Sequence, residues 1–583
     1  MSFHNEKSEP LNIVHDEAIG NVVNIEPAPE DDAGTNFTWD IEVILNLLAC
    51  FLTYFTAVFS VVVPSGAIPF ISRAFPEETS NRIWISASFT AASCSVQAFC
   101  GDLSDRLGRK IPILTGMLLG IAGTLLSGRA SNLNMVIAGQ ALSGAGSTLG
   151  FLCIPLFQEI VPKSKRPMIM AVAGIFPGTA YSSGSIISGA FIKGEVGGPN
   201  DGWRCGFYLC AGCYAIALLL IAVFYHPSPR PNPDNLPMAR RILQIDWLGV
   251  FLVTAGLVLF LVGLESGGNP SPWSSTRVVA CLVVGAGIMA AFCLWEWKGT
   301  KDPILGHDLF EHRNFAVTLA ICFVGGMVLF GGQAFLPQEV VYLFTDDAVL
   351  TGVWGLPFNF GTVIGAMVGG IWLAHSKEAK PIVFFTFLLL LLGAGLMLVV
   401  KPGVNFAAWL FSTGLLGAGV GIQTTVLQVI VTLCTPDHLI AAAASVSNAV
   451  RALGGSIGVV IFSQVLAAKA KTLVPDEIAK RVVEVGLPLS SVPAFVGAIL
   501  TQDTSQIAQI PGVTPEILAA AAAATRWGYS ASFKYVWYSL IPFAVVCMGL
   551  SLLLKPTGAQ MTDTVSAGIQ RRNEPKNQAK QDD

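Results

Sequence analysis

Charge is what this sequence has least of. Of its 583 residues only 12% are Asp, Glu, Lys or Arg, about half the share of an ordinary soluble chain. Meanwhile 53% are hydrophobic and the mean hydropathy is +0.62. A water-soluble protein of this length needs a polar surface that such a composition does not supply, so soluble and disordered classes are excluded and the bilayer is the expected solvent. A net charge of -4 with a pI near 6.0 leaves no basic footprint for nucleic acid. Signatures of hydrolytic and phosphate chemistry are missing too. There is no HExxH pair and no Gly-Lys-Ser/Thr phosphate loop, and the seven histidines sit mostly in tails and loops. An enzyme is not expected, ATP is not the expected energy source, and no cofactor or metal is implied. The twelve cysteines are scattered through apolar runs, where a thiol acts as a small hydrophobe. Cys210 and Cys213 have CxxC spacing but lie in an apolar helix, which argues against a redox or metal role. The acidic beginning of the chain lacks a basic region followed by a cleavage site, so insertion through the first helix is expected.

What the sequence does have is long apolar runs. A spanning helix needs roughly 20 apolar residues to cross about 30 Å of hydrocarbon, and about fourteen such runs can be read. They begin near Ile41, Ile83, Ile111, Leu133, Met168, Gly206, Trp247, Val278, Phe315, Leu350, Ile382, Phe406, Leu439 and Phe533. Continuous runs of this length predict a helical bundle, whereas a barrel would show short alternating segments. Positive charge is concentrated in alternate loops, among them Arg106, Arg109 and Lys110, then Lys163, Lys165 and Arg166, then Arg240 and Arg241. The positive-inside rule puts these loops and both termini in the cytosol. A Pro-rich stretch from His226 to Pro237 reads as a semi-rigid linker after the sixth run. Residues 468–532 are expected to form a long outer loop with partly helical, membrane-facing pieces.

The most informative segment is Gly101-Asp102-Leu103-Ser104-Asp105-Arg106-Leu107-Gly108-Arg109-Lys110, in the loop after the second run. Its glycines allow a tight turn and close helix approach. Asp105 can sit at a neighbouring helix N-terminus or pair with Arg109, and such contacts can break and re-form as two bundles rock. The segment resembles the GxLaDrxGrK signature of the major facilitator superfamily. Within it, Ala444-Ser-Val-Ser-Asn448-Ala-Val-Arg451-Ala-Leu-Gly454-Gly455-Ser456-Ile-Gly458 is similar to an arginine and double-glycine stretch of the fourteen-helix drug:proton antiporter branch. The fungal trichothecene efflux pump family is closer still, with the siderophore transporters beside it. That resemblance rests on Gly101 to Lys110, on Gln158-Glu159-Ile160-Val161-Pro162, on Trp203-Arg204, and on Ser530-Ala-Ser-Phe533-Lys534-Tyr535-Val536.

The resemblance implies an all-α integral membrane protein with the major facilitator fold and about 14 spans: two six-helix bundles and two additional helices. The corresponding division is a cytoplasmic tail 1–40, a first bundle 41–225, a linker 226–245, two additional helices 246–298, a second bundle 315–554 including the loop 468–532, and a tail 555–583. It also implies a plasma-membrane transporter, with the vacuolar membrane as the alternative, that exports amphipathic toxins, secondary metabolites or drugs in exchange for protons. The expected partners are the bilayer, a hydrophobic small molecule and protons, with no nucleic acid, and a monomer is expected. Proton-coupled uptake of ferric siderophores and a non-transporting sensor of the same fold remain open. The sequence departs from the antiporters at Gln140, where they carry an arginine, and at Phe55, where many carry an aspartate. It departs again at Gly184-Ser-Ile-Ile-Ser-Gly189, in place of GPxxGG with its proline displaced to Pro177.

On this reading Gly101, Asp105, Arg106, Gly108, Arg109 and Lys110 form a cytoplasmic gate. Arg451, about eleven residues or 16 Å into its helix, costs about 2.5–3.5 kcal/mol to bury there. It therefore becomes a candidate for coupling or substrate binding. Glu339 joins it, as do Gln140, Gln333, Asn359, Gln423, Gln428 and Tyr181, because an all-apolar cavity could not orient its cargo. Gln423 and Gln428 lie about 140° apart on a helix, so at most one should face a cavity. Tyr54, Phe55, Trp354 and Phe358 could stack on a polycyclic substrate. Gly184, Gly189, Gly454 and Gly455 are expected to pack helices closely.

Overall fold

The computed structural model describes residues 39–561 except 76–83, 199–200, 227–244, 269–270, 301–302, 305, 307, 346, 437–438, 502–503 and 508–509. The N-terminal tail, nearly all of the Pro-rich linker and most of the C-terminal tail lie outside the described residues. Among the described residues there is no strand, only an isolated bridge between Gly267 and Ser271, as expected where lipid cannot satisfy backbone groups.

The chain runs α1 (Ile41–Ala74), α2 (Trp84–Leu107), α3 (Lys110–Gly128), α4 (Leu133–Gly150), α5 (Cys153–Ile160), α6 (Arg166–Ala173), α7 (Ile175–Lys193) and α8 (Gly202–Phe224). It continues with α9 (Trp247–Ser266), α10 (Thr276–Lys298), α11 (Arg313–Leu343), α12 (Ala348–Ser376), α13 (Ala379–Met397), α14 (Phe406–Leu433), α15 (Ile440–Glu484), α16 (Val492–Thr501) and α17 (Pro515–Ser551). Short polar side chains start several of them. Asn132 accepts from Met135 N, Asp246 from Gly249 N and Thr514 from Ile517 N, each satisfying an amide that the helix leaves free.

Twelve helices among the described residues are long and apolar enough to cross a membrane, against about fourteen runs in the sequence. The difference falls at two places. The run near Ile83 is α2, 24 residues long but diluted by serine and threonine. The run near Met168 is broken at Gly174 into α6 and α7.

α1 to α5, α7 and α8 pack mainly on one another, as do α11 to α15 with α17, giving two bundles. α9 and α10 pair together, and α9 also lies on α2 and α15. Val253, Leu257, Phe292 and Ile304 bury themselves there against Ala98, Phe99 and Leu453. Between the bundles, α2 lies along α15 while α6 and α7 lie along α12. All twelve cysteines are free, so no disulfide holds this arrangement.

Residues 468–532 are mostly helix rather than loop. α15 has 45 residues and α17 has 37, about 67 and 55 Å long, so both run well past the thickness of a bilayer. Val474, Ile478 and Val482 recur every fourth residue on α15. They pack against Ile517, Ala521 and Ala524 of α17 and against Phe495 of α16, which is fully buried. The extension therefore has its own apolar core, and the apolar patch from Val492 to Leu500 is spent on that core.

Candidate functional site

The turn between α2 and α3 needs Gly108, whose φ is +87°, a conformation that L side chains resist. It folds Arg109 back under α2. Arg109 is 2% exposed; its Nη1 meets Asp105 Oδ1 at 2.6 Å and donates to Ser104 Oγ at 3.1 Å. Its Nε donates to Glu159 Oε2 at 3.1 Å, and its Nη2 donates to Glu159 Oε1, a bidentate fork of the strong kind. Burial works against this charge, yet the carboxylates of Asp105 and Glu159 outweigh it and hold the guanidinium pKa above its ordinary value. The other Asp105 oxygen accepts from Ala442 N at 3.0 Å, in the first turn of α15 on the opposite bundle. A carboxylate there meets both a free amide and the positive end of the helix. Both contacts open to Asp105 in the sequence are thus made at once.

Close backbone contact accompanies this clasp. A Cβ at Gly101 would lie 2.6 Å from Ala442 Cα and 2.7 Å from Ala441 C. Cys100 Sγ lies 3.3 Å from Ser445 Oγ. Of the remaining gate residues, Arg106 pairs with Asp102 at 2.8 Å and Lys110 Nζ donates to Ala222 O at 3.0 Å, both within the first bundle.

A second clasp lies at the same end. Arg166, fully buried, donates from Nε to Gln158 O at 3.0 Å and from Nη1 to Thr432 O at 2.9 Å. Thr432 Oγ1 in turn donates to Gln158 Oε1 at 2.7 Å. This ties α5 and α6 to the end of α14. Glu159, Gln158, Arg166 and Thr432 were not among the candidates read from the sequence. The visible signal was the charge of Glu159 inside an apolar stretch, followed soon by Arg166.

At the opposite end the bundles meet through Lys193 and Asp347, 3.0 Å apart with side chains 68% and 34% exposed. The Lys193 hydrogen bond, with the Leu350 and Val349 amides, holds the Asp347 carboxyl below its ordinary pKa. Any stability from this lowering is present above the unfolded pKa and lost as pH falls through the folded one. Because the pair is exposed and screened, Lys193→Ala should leave the melting temperature at neutral pH unchanged. A clear drop in a differential scanning measurement would contradict that.

Between the ends, Tyr54 of α1 and Tyr181 of α7 lie within electrostatic reach of Arg451 of α15. Tyr181 also lies near Gln333 of α11. All four are half-buried. Arg451 Nη2 lies 3.9 Å from Cys322 Sγ, and among the described residues no carboxylate pairs with it. The other candidates lie elsewhere. Gln423 and Gln428, each 2% exposed, sit inside the second bundle: Gln423 Nε2 donates to Ile321 O at 3.4 Å, and Gln428 Oε1 accepts from Ser447 at 3.5 Å. Gln140 is 2% exposed within the first bundle, its Nε2 without a hydrogen-bond partner among the described residues. Asn359 is half-buried on α12, near the Gly178 position of α7. Glu339 is 1% exposed and accepts from Trp537 Nε1 at 3.1 Å, with no basic side chain in ion-pair range among the described residues. Phe55 stacks on Phe59 and Trp354 on Phe344.

The candidate packing glycines lie against neighbouring helices where their surroundings are described. A Cβ at Gly184 would be 3.0 Å from Val62 on α1, and one at Gly454 would be 3.0 Å from Phe323 Cα on α11. Gly455 faces the Phe330 ring, and Gly189 is buried in α7.

Comparison with known proteins places these features. Residues 34–583 match the family model described as fungal trichothecene efflux pump (TRI12). The chain is 26% identical to the MFS efflux transporter aclA of Aspergillus oryzae, covering 90% of this chain and 91% of that one. It is 25% identical to the trichothecene efflux pump TRI12 of Fusarium sporotrichioides, covering 86% and 84%. Among solved structures, that of the major facilitator superfamily proton:xylose symporter XylE superposes with a TM-score of 0.54 at 12% identity, covering 90% of this chain and 98% of that one. At that identity the likeness establishes an all-α major facilitator fold.

Proposed function

The chain belongs to the fungal trichothecene efflux pump family of the major facilitator superfamily, a membrane efflux transporter rather than an enzyme, and from that premise we propose how it works. It exports amphipathic small molecules across the plasma membrane in exchange for protons, by alternating access around the centre of the two bundles. The observation that carries this reading is the contrast along the bundle interface. At the Asp105 end, side chains and backbone of opposite bundles interlock through Asp105, Ala442, Gly101, Arg166 and Thr432. At the middle, Tyr54, Tyr181, Gln333 and Arg451 remain half-buried. The Asp105 end is the cytoplasmic one by the positive-inside rule, so the conformation described is closed to the cytosol. Rocking the bundles would break the two polar clasps together and expose the centre to that side.

Glu339 is the proposed proton carrier. It is an acidic side chain within a spanning helix, with an indole donor and no cationic partner among the described residues. A carboxyl within a span that has no cation beside it is a candidate to carry a proton between the two sides.

Flux in sealed vesicles of known orientation tests both points. Outward movement of labelled hydrophobic compounds, accelerated by acid on the outer side, is expected of the native protein. In Glu339→Gln that acceleration should vanish while downhill movement continues. Inward movement of a ferric siderophore with protons would replace export by uptake, and binding without movement in either direction would leave a sensor.

A further inference from the structure

Arg451 is the feature that this function leaves unexplained. It lies mid-membrane at a point where both bundles contribute side chains, and its charge is answered by no carboxylate among the described residues. The nearest side-chain partner given to it is a thiol sulfur at 3.9 Å, a weak acceptor. Tyr54 and Tyr181, on which its charge acts, carry hydroxyls on the opposite bundle, and Gln333 adds an amide near Tyr181. The backbone of Arg451 is held close to α11, where its carbonyl packs on Gly326, leaving the side chain to adjust. A planar fork of donors at the bundle interface, with two tyrosine rings and their hydroxyls on the opposite bundle and an amide on its own bundle, matches a flat apolar body ending in an oxyanion.

We propose that the cargo is an amphipathic organic acid, whose carboxylate or other oxyanion is held by Arg451 while its apolar part lies against Tyr54 and Tyr181. This rests on the export reading and narrows its substrate class. An ion pair made there is little screened by water, so recognition should fall mainly on the charged group. Because Arg451 belongs to one bundle and the tyrosines to the other, such a cargo touches both and can bias their rocking.

Binding separates this inference from export itself. The purified full-length protein is titrated with 1-pyrenebutyrate and with its uncharged amide, following pyrene fluorescence, with sodium chloride and phosphate as separate competitors. The acid is expected to bind at least about tenfold more tightly than the amide, or about 1.4 kcal/mol, with neither inorganic ion displacing it at equal concentration. Arg451→Gln should bind both probes as the native protein binds the amide, which also shows that the variant is folded, and Arg451→Lys should keep part of the preference. Equal binding of acid and amide by the native protein would overturn the proposal. So would absence of binding by both, displacement by chloride or phosphate at equal concentration, or a preference that survives in Arg451→Gln. Selective binding of the acid, with no movement of it in vesicles, would uphold the site and overturn export instead.

Discussion

Gly101→Val is expected to lower export at least about a hundredfold while the protein still reaches the membrane in normal amount. The added Cβ would stand 2.6 Å from Ala442 Cα and 2.7 Å from Ala441 C, and both are backbone atoms of the opposite bundle that no change of rotamer can remove. Overpacking of this kind costs about 1–3 kcal/mol even where side chains can adjust, and valine brings two further methyl groups. About 2.8 kcal/mol already amounts to a hundredfold shift between two conformations. The strain exists only when the Asp105 end is closed, so each bundle stays intact and the closed conformation alone is depopulated. Cys100 is fully buried beside Ser445 and should become reactive towards a bulky maleimide, read by mass spectrometry. Native flux in a well-expressed Gly101→Val protein would dismiss closure at this point as a step of transport.

Arg109→Met should be the most destabilising single change at the gate, by about 3–5 kcal/mol. It leaves the carboxylates of Asp105 and Glu159 buried without the guanidinium that both of them meet. A matched variant separates stability from mechanism. Arg109→Met with Glu159→Leu removes both members of the buried fork and should recover much of the loss, since apolar groups of similar volume often replace such pairs without penalty. Export should stay lost in both, because Asp105 would no longer be steered towards Ala442 N. Thermal unfolding of the purified proteins, followed beside vesicle flux, distinguishes these effects. Recovery of flux in the double variant would confine Arg109 to a purely stabilising part.

The gate was legible because its residues are close in sequence. The spacing from Asp105 to Arg109 is one helical turn, and a glycine at 108 marks the bend that brings them together. Glu159 lies 50 residues further on, so no local pattern announces it, and the same holds for Thr432 opposite Arg166. At the centre, Arg451 acts electrostatically on Tyr181, while Gln423 and Gln428 both turn into the second bundle. Helical spacing settled the angle between those two glutamines but not which way their helix is rotated, a matter decided by packing against α11. Two spans were harder to read than the rest. α2 is enriched in serine, several of whose hydroxyls bond to carbonyls one turn back or to α4, and α6 and α7 are interrupted at Gly174. The extension beyond the bundles was read as an outer loop with partly helical pieces, whereas α15 continues as helix past Pro475. The every-fourth-residue spacing of Val474, Ile478 and Val482 was present in the sequence, but its partners on α17 lie some forty residues away.

That extension is joined to the second bundle by α15 and α17, which pass from one into the other as continuous helices. It must therefore behave as a lever arm. A rotation of the second bundle by about ten degrees, acting over about 30 Å of projecting helix, sweeps the tip sideways by about 5 Å. A pair of fluorophores, one near Phe495 and one on the loop before α8, would turn that sweep into an optical signal of each transport cycle. The same projection offers a rigid handle outside the detergent belt for an antibody fragment, in a protein whose mass is otherwise hidden by lipid.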